Sequence, residues 1–317
     1  MRFPVSLSIG TLCLIFYIGV NAGASETSYQ KNCNYRIQDI NACTKIIEDG
    51  AHPDLLSRAY VNRGVAYHRA GKYDLSIADY TRVLNARPDY ILAYSNRALA
   101  YRKIREYRKA VADYDVILTL KPNSAKAYNG RSVSHTYLGN YELALADIDM
   151  AISLKPEKAK LYNDRGFSNH QKGDYKQAVI DYTRAIELKD GYALAFDNRG
   201  LAHSKNNSYE LAIEDHTQAI SLNPRNKTAL VNRGTAYRNL KQFDNALHDY
   251  DLALSLQPDL ATALNNRAYT YELMQDYRAA SVGYKAVLAL PYTGSNKVSI
   301  DYARKALPRV EKHLLLQ

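Results

Sequence analysis

The chain has 317 residues, with 42 Lys or Arg against 32 Asp or Glu, a formal net charge of +10, 28 Tyr and no Trp. Such a length would ordinarily suggest about two globular domains, but one phrase recurs at a fixed interval, so length here counts repeats. The positive balance points to an acidic partner, acidic envelope or membrane material, or nucleic acid, and Tyr without Trp suits many small helix interfaces better than one large core.

Residues 1–24 read as a secretory signal, with Arg2 as the positive start, Val5 to Val20 as the apolar stretch and Ala22-Gly23-Ala24 as the small-residue cleavage site. The apolar stretch is shorter than the roughly 18 residues of a spanning helix, so cleavage after Ala24 is expected and an uncleaved anchor is the alternative. Cys13 would be discarded with it. The chain is then expected to be exported, periplasmic or secreted, and to touch a membrane only if the signal stays on.

Residues 25–56 read as an N-terminal cap carrying the remaining cysteines, Cys33 and Cys43. An even pair in an oxidising compartment is most simply a disulfide, which would close a short loop and stabilise the head by roughly 2–3 kcal/mol on the chain-entropy account. Zinc is a poor rival, because no histidine pair or second cysteine pair accompanies them. Cys43-Thr44-Lys45-Ile46-Ile47 echoes Tyr80-Thr81-Arg82-Val83-Leu84 at a separation of 37 rather than 34. The spacing predicts a degenerate leading helix that docks on the first repeat and hides its apolar face.

From residue 57 the period is strict. Tyr60-Val61-Asn62-Arg63-Gly64 sets the phrase, and Arg63, Arg97, Arg131, Arg165, Arg199, Arg233 and Arg267 follow at intervals of 34. Seven units are expected over 57–294, beginning at 57, 91, 125, 159, 193, 227 and 261. In the unit 91–124, Tyr94, Ala98 and Tyr101 stand at positions 4, 8 and 11, and Ala110, Tyr114 and Ile117 at positions 20, 24 and 27. Each trio has the i, i+4, i+7 spacing of one apolar helix face. Between them Arg105-Glu106 falls where other units have Gly71, Gly139 and Gly173, a place for left-handed backbone, and Pro122 ends the second helix.

A small residue at position 8, Tyr at 11, Ala at 20, Tyr at 24 and Pro at 32 resemble the tetratricopeptide repeat over the whole span 57–294. The resemblance implies an all-α solenoid of seven helix-turn-helix units with a leading and a C-terminal capping helix. Ser132 at position 8, Asp190 at position 32, and Ile148 and His216 at position 24 depart from the pattern and put local packing in question. The secreted head with paired cysteines is similar to envelope proteins of Gram-negative bacteria. Residues 295–317 read as the C-terminal capping helix and tail, with a helix from Ser295 to Leu307 that stops before Pro308 and a coda, Leu314-Leu315-Leu316, that either packs or frays.

Two polar ladders run through the repeats. Arg63, Arg97, Arg131, Arg165, Arg199 and Arg233 at position 7 match Asp79, Asp113, Asp147, Asp181, Asp215 and Asp249 at position 23, and Gly283 breaks the series in the last unit. A planar guanidinium is the usual partner of a partly buried carboxylate, so these read as a structural Arg–Asp ladder; a basic ligand-binding row is the rival. At position 6, Asn62, Asn96, Asn198, Asn232 and Asn266 face the groove side and show no such counterpart, with Gly130 and Asp164 interrupting.

In the proteins the array resembles, asparagine here clamps the backbone of an extended peptide, and an amide that both donates and accepts suits that task; a solvated polar face or a local backbone contact is the other reading. Around it stand Arg58, His68, Arg69, Arg102, Lys103, Lys126, Lys160, His170, Lys205 and Arg238 against Asp197 and Glu272. Lysine is missing from position 5, which argues against the clamp for chaperone C-termini found in some of the family.

The histidines show no metal spacing. His135 and His203 replace core tyrosines and read as packed or hydrogen-bonded side chains. No glycine-rich phosphate loop, nucleophile elbow or catalytic carboxylate pair appears, and the repeats leave no room for a separate catalytic domain. Neither cofactor nor small-molecule substrate is expected. The expected function is a non-enzymatic protein-interaction scaffold that holds an extended, acidic peptide segment in envelope assembly or regulation. The alternative is a binder of anionic polymer, cell-wall polysaccharide or nucleic acid; the latter is disfavoured because Phe167, Tyr137 and Tyr269 look isolated on the groove side.

Overall fold

A computed structural model describes residues 31–34 and 39–316, and the expected signal segment lies outside the described residues. Helix is the only regular secondary structure among them. The head helix is α1 (Ile40–Glu48). Seven first helices follow at the repeat interval: α2 (Pro53–Arg69), α4 (Ile91–Lys103), α6 (Ala125–Tyr137), α8 (Ala159–Lys172), α10 (Ala193–Lys205), α12 (Lys227–Asn239) and α14 (Ala261–Leu273). They alternate with second helices α3 (Tyr73–Ala86), α5 (Tyr107–Leu120), α7 (Tyr141–Leu154), α9 (Tyr175–Leu188), α11 (Tyr209–Leu222), α13 (Phe243–Leu256) and α15 (Tyr277–Leu288), and α16 (Lys297–Leu315) closes the chain.

Each first helix ends on a left-handed residue at position 15. Gly71, Gly139 and Gly173 supply it in three repeats, at φ of 73°, 78° and 93°, and Arg105, Asn207, Lys241 and Gln275 in the other four, at 60° to 63°. The next amide then folds back onto the first helix, as Glu106 N–H does to Tyr101 O at 2.9 Å and Gln242 N–H to Tyr237 O at 2.9 Å. This closure satisfies carbonyls that the helix end would leave bare. Helix starts are held by side-chain caps where the residue allows: Ser124, Asp174, Asn226 and Asp276 accept the amides of Ala127, Gln177, Ala229 and Ala279.

The described chain divides into two compact units, one ending at Asp79 and one beginning at Tyr80. In the first, α1 packs on α2. Asp39 caps α1 by accepting from the amides of Asn41 and Ala42, and Cys33, Cys43, Ile46 and Ala59 share a small core in which the two cysteine sulfurs lie 2.10 Å apart.

In the second unit, each second helix packs on its own first helix and on the next one. First helices also touch the first helices of neighbouring repeats, α4 to α6 through α12 to α14, whereas second helices do not touch each other. The first helices therefore line the inner side of this stack. Its core is built of small residues against large ones: Ala98, Ala110, Ala144, Ala178, Ala212 and Ala246 are fully buried beside Ile117, Ile148, Tyr182 and Tyr250.

Position 8 is small because the position-24 side chain lies over it. A methyl added at Gly166 would meet the Tyr182 ring at 2.7 Å, and one at Gly234 the Tyr250 ring at 2.8 Å. The departures follow the same rule. His216 covers Gly200 in place of tyrosine, and Ser132 covers no ring at all but donates to Ala144 O at 2.7 Å, with the smaller Ile148 buried nearby. Ala98 leaves no room for a ring above it, and Tyr114 instead lies against Gly130 of the next repeat, where a methyl would come within 2.3 Å. Gly283 stands in place of the ladder aspartate, and a methyl there would approach the Ala268 Cβ at 2.7 Å.

The tail corrects one expectation. α16 does not stop before Pro308 but runs through it to Leu315. Its apolar face, Ile300, Ala303, Ala306 and Val310, is buried in one cluster with α14 and α15. That burial offsets the helix-interior proline, a loss of about 3 kcal/mol. Leu315 and Leu316 are exposed.

Two sets of substitutions separate these effects. Lys241→Gly and Gln275→Gly should each raise the urea midpoint by about 1 kcal/mol equivalent, because a side chain at positive φ is strained there. Gly166→Ala and Gly234→Ala should lower it by about 1–3 kcal/mol through overpacking against Tyr182 and Tyr250.

Candidate functional site

The position-7 arginines project from the flank of the inner helices and hold three elements at once. Within a repeat the Nε and Nη2 atoms donate to the aspartate sixteen residues on: Arg63 to Asp79 at 2.8 and 2.8 Å, Arg97 to Asp113 at 3.0 and 2.6 Å, and Arg131 to Asp147 at 2.8 and 2.6 Å. Arg165 to Asp181, Arg199 to Asp215 and Arg233 to Asp249 repeat the fork at 2.7 to 2.9 Å.

The third nitrogen, Nη1, reaches back sixteen residues to position 25 of the preceding repeat. There it meets Thr81, Asp115, Asp149, Thr183, Thr217 and Asp251 at 2.5 to 3.1 Å. In the head, Arg63 meets Thr44 at 3.0 Å, so α1 supplies the position-25 group of a repeat that is otherwise degenerate. Position 25 went unnoticed in the sequence because its residue type varies, although its occupants in the first six repeats all carry an acceptor oxygen.

Aromatic rings at positions 4 and 11 flank the guanidinium, as Tyr94 and Tyr101 do Arg97 at 5.5 and 5.8 Å. The fork to Asp147 holds Arg131 above the usual arginine range against the opposing effect of burial. Burial pushes Asp113 and Asp181 above the usual carboxylate range in spite of Arg97 and Arg165. With both forks occupied, the guanidinium N–H groups of these arginines are spent on internal acceptors. Arg267 lacks its aspartate, because Gly283 stands there, and keeps only the backward contact to Asp251.

Two of the position-6 asparagines, Asn198 and Asn232, have a counterpart, contrary to expectation, at position 5 of the neighbouring repeat. Asn198 Nδ2 donates to Asn163 Oδ1 at 3.0 Å and Asn232 Nδ2 to Asp197 Oδ1 at 3.2 Å. Where Asp164 stands at position 6 the direction reverses, and Asn129 Nδ2 donates to it at 2.8 Å. Asn266 donates to Thr235 Oγ1 at 3.5 Å and accepts from Arg238 at 3.4 Å. In the head unit Asn62 donates to Cys33 O at 2.9 Å. Asn96 has no hydrogen-bond partner among the described residues and stays half-buried. A primary amide has two N–H groups and an acceptor oxygen, so Asn198 and Asn232 keep an N–H and the oxygen for a ligand.

The acids of this face are all engaged internally. Asp164 pairs with Lys160 and Asn129. Asp197 holds the buried His216 ring at 2.8 Å as well as Asn232. Glu272 accepts from Tyr284 at 2.7 Å and from Arg309 of α16 at 2.7 and 3.0 Å. Lys103 and Lys205 are exposed and make no ion pair among the described residues, and Arg238 spends its guanidinium on Asn266 and the Tyr269 ring at 5.0 Å. Arg69 is exposed at the end of α2 in the head unit.

The groove-side aromatics are not isolated either. Tyr137 stacks on Tyr107 with ring centroids 4.8 Å apart and 4° between planes, and Phe167 lies 5.6 Å beyond it. Tyr269 meets Tyr302 of α16 at 5.8 Å. Tyr107 is at position 17 of one repeat, Tyr137 at 13 of the next and Phe167 at 9 of the third, a diagonal that the repeat register hides.

Models of the tetratricopeptide repeat match residues 57–90 and 228–260, residues 159–192 and 193–226, and residues 95–157. No curated protein is similar enough to match the chain. Among solved structures, the chain is similar to yeast Tom70 at TM-score 0.65 and 16% identity, over 92% of this chain and 66% of that one. A tetratricopeptide repeat protein of Parabacteroides merdae is similar at TM-score 0.63 and 16% identity, over 80% and 98% of the two chains. A chain of the APC/C hetero-tetramer Cut9–Hcn1 is similar at TM-score 0.62 and 19% identity, over 86% of this chain and 52% of that one. The chain thus spans about half of that relative's length, and at these identities the likeness is one of fold.

The ladder and the buried histidines generate two expected outcomes. Arg165→Ala should cost about 3–5 kcal/mol in urea unfolding, because it leaves the fully buried Asp181 carboxylate uncompensated, whereas Asp115→Ala, removing an exposed outer partner, should cost at most about 1 kcal/mol. Burial lowers His135, His170 and His203 from the ordinary imidazole range. The unfolded chain therefore binds more protons than the folded one just below about pH 6.5. Stability from this source is full above that pH and falls as pH drops towards the folded values, and a variant carrying His135→Gln and His203→Gln should show a shallower fall in urea midpoint between pH 7.5 and 5.

Proposed function

The chain belongs to the tetratricopeptide repeat family, generally a non-enzymatic protein-interaction module, and on that premise we propose that it is a scaffold whose inner helix face holds an extended, acidic peptide segment of a partner protein. The observation that carries this reading is the imbalance on the inner face of the second unit. Its acids are engaged by internal partners, Asp164 by Lys160, Asp197 by His216 and Asn232, and Glu272 by Arg309, while cations such as Lys103 and Lys205 are left facing solvent. A face of one uncancelled sign steers and holds segments of the other. Amides at Asn96, Asn198, Asn232 and Asn266 add groups that bond a peptide backbone whatever its side chains.

The role proposed for it is assembly or regulation in the cell envelope. Residues 1–24 would direct export and be removed after Ala24, and in the oxidising compartment Cys33 and Cys43 would be joined as a disulfide, for which their Cα separation of 4.8 Å is suited. Catalysis forms no part of this reading. A second reading, a binder of anionic polymer, gains one observation from the Tyr107, Tyr137 and Phe167 run, since successive bases or sugar rings stack on such surfaces.

An array of overlapping peptides from envelope proteins, probed with the purified mature chain, distinguishes the two. Retention of acidic peptides with sequence preference, weakened about tenfold by Asn96→Ala, is the expected result. Asn96 is the informative position because its replacement breaks no internal bond. Retention that ignores peptide sequence, together with tighter binding to single-stranded nucleic acid or anionic polysaccharide and a steep salt dependence, would favour the polymer reading. Intact mass of the exported chain, with cleavage after Ala24 and no thiol titrating, tests the head.

A further inference from the structure

A cavity of about 580 Å³ opens where α4, α6 and α8 come together. Its floor is apolar, formed by Leu99, Leu161 and the ring of Tyr114, which lies against Gly130 at position 6. That size lies in the range of ordinary ligand pockets.

The register of the repeats shows what Gly130 removes. Arg238 stands at position 12, and its Nη1 donates to Asn266 at position 6 of the next repeat at 3.4 Å. Arg102 stands at position 12 two pairs of repeats earlier, and the residue corresponding to Asn266 is Gly130, which has no carboxamide to offer. The guanidinium of Arg102 instead faces the Tyr114 hydroxyl, and its Nε is buried with no hydrogen-bond partner among the described residues. A buried, unpaired guanidinium N–H is costly to leave so.

Lysines surround the mouth: Lys121, Lys126, Lys155, Lys158 and Lys160 all line it, and all are exposed. Only Lys160 is paired, with Asp164, and the other four make no ion pair among the described residues. The cavity thus combines a cation without its acceptor, an apolar floor and a rim of one charge.

We propose that this cavity anchors the partner peptide by taking one acidic side chain, with an apolar residue beside it. The carboxylate accepts from Arg102 Nε and the Tyr114 hydroxyl, the apolar side chain lies on Leu99 and Leu161, and the lysine rim attracts flanking acids. The inference rests on the peptide-binding reading and narrows it to one place on the inner face.

The test is calorimetry on the full mature chain at low salt. The probe is a capped pentapeptide alternating glutamate and leucine, with its glutamine and leucine counterpart as reference. The glutamate peptide should bind at least about tenfold tighter than the glutamine one, and Arg102→Gln should remove about tenfold or more of that affinity. A chain carrying Lys155→Gln and Lys158→Gln, both exposed and without an ion pair among the described residues, should weaken binding and flatten its salt dependence, while Arg184→Gln on the outer helix α9 should change nothing.

Equal binding of the glutamate peptide to the parent and both variants would overturn the cavity proposal and leave the groove reading standing. Binding of inorganic phosphate at Arg102, with no preference for the glutamate peptide, would overturn it in favour of a small-anion site. If neither this peptide nor any acidic peptide of the array binds, the groove reading falls with it.

Discussion

The fold depends on how three guanidinium N–H groups are shared. A position-7 arginine gives two of them to a buried aspartate of its own repeat and the third to an oxygen of the repeat before, so one side chain sets both the angle within a hairpin and the step between hairpins. Lysine, a point charge on a flexible stem, has no such planar fork. One or two aromatic rings lie against the guanidinium, two in the case of Arg97, and burial keeps the bridge away from screening by salt. The energetic sense of the bridge is conditional: the pair as a whole contributes modestly, but neither member tolerates loss of the other.

This staple also explains where the array begins and where it alters. Thr44 of α1 offers the oxygen that a preceding repeat would offer, so the head satisfies Arg63 without being a full repeat. At the other end Gly283 displaces the aspartate, Arg267 is left with one fork, and α16 takes over by burying Ile300, Ala303, Ala306 and Val310 against α14 and α15. Stability of a stacked array lies in such neighbour contacts, and each end has to supply what the missing neighbour would have supplied.

Function is proposed for positions that the staple does not use. The inner face holds position-6 amides, partly spent on linking repeats, and cations whose acidic neighbours are already engaged. Variation there is tolerated by the fold because the second-helix tyrosines can swing: Tyr182 covers Gly166 of its own repeat, Tyr114 covers Gly130 of the next. That second arrangement puts the Tyr114 ring in the floor of the cavity at Arg102. A packing solution and a candidate binding feature therefore come from the same substitution pattern.

Sequence alone determined the helical hairpin, its period and its turns, because apolar spacing and a left-handed residue at position 15 are local properties repeated along the chain. The Arg–Asp ladder was also legible, since both members recur at the period. Tertiary structure decided what depends on residues brought together from different repeats: the position-25 oxygens, the pairing of position 6 with position 5, the aromatic diagonal of Tyr107, Tyr137 and Phe167, and the missing partner of Arg102. None of these keeps one residue type at one spacing, so no periodic count reveals them. The passage of α16 through Pro308 belongs with them, for the burial that outweighs a proline in a helix is supplied by α14 and α15, not by the segment itself.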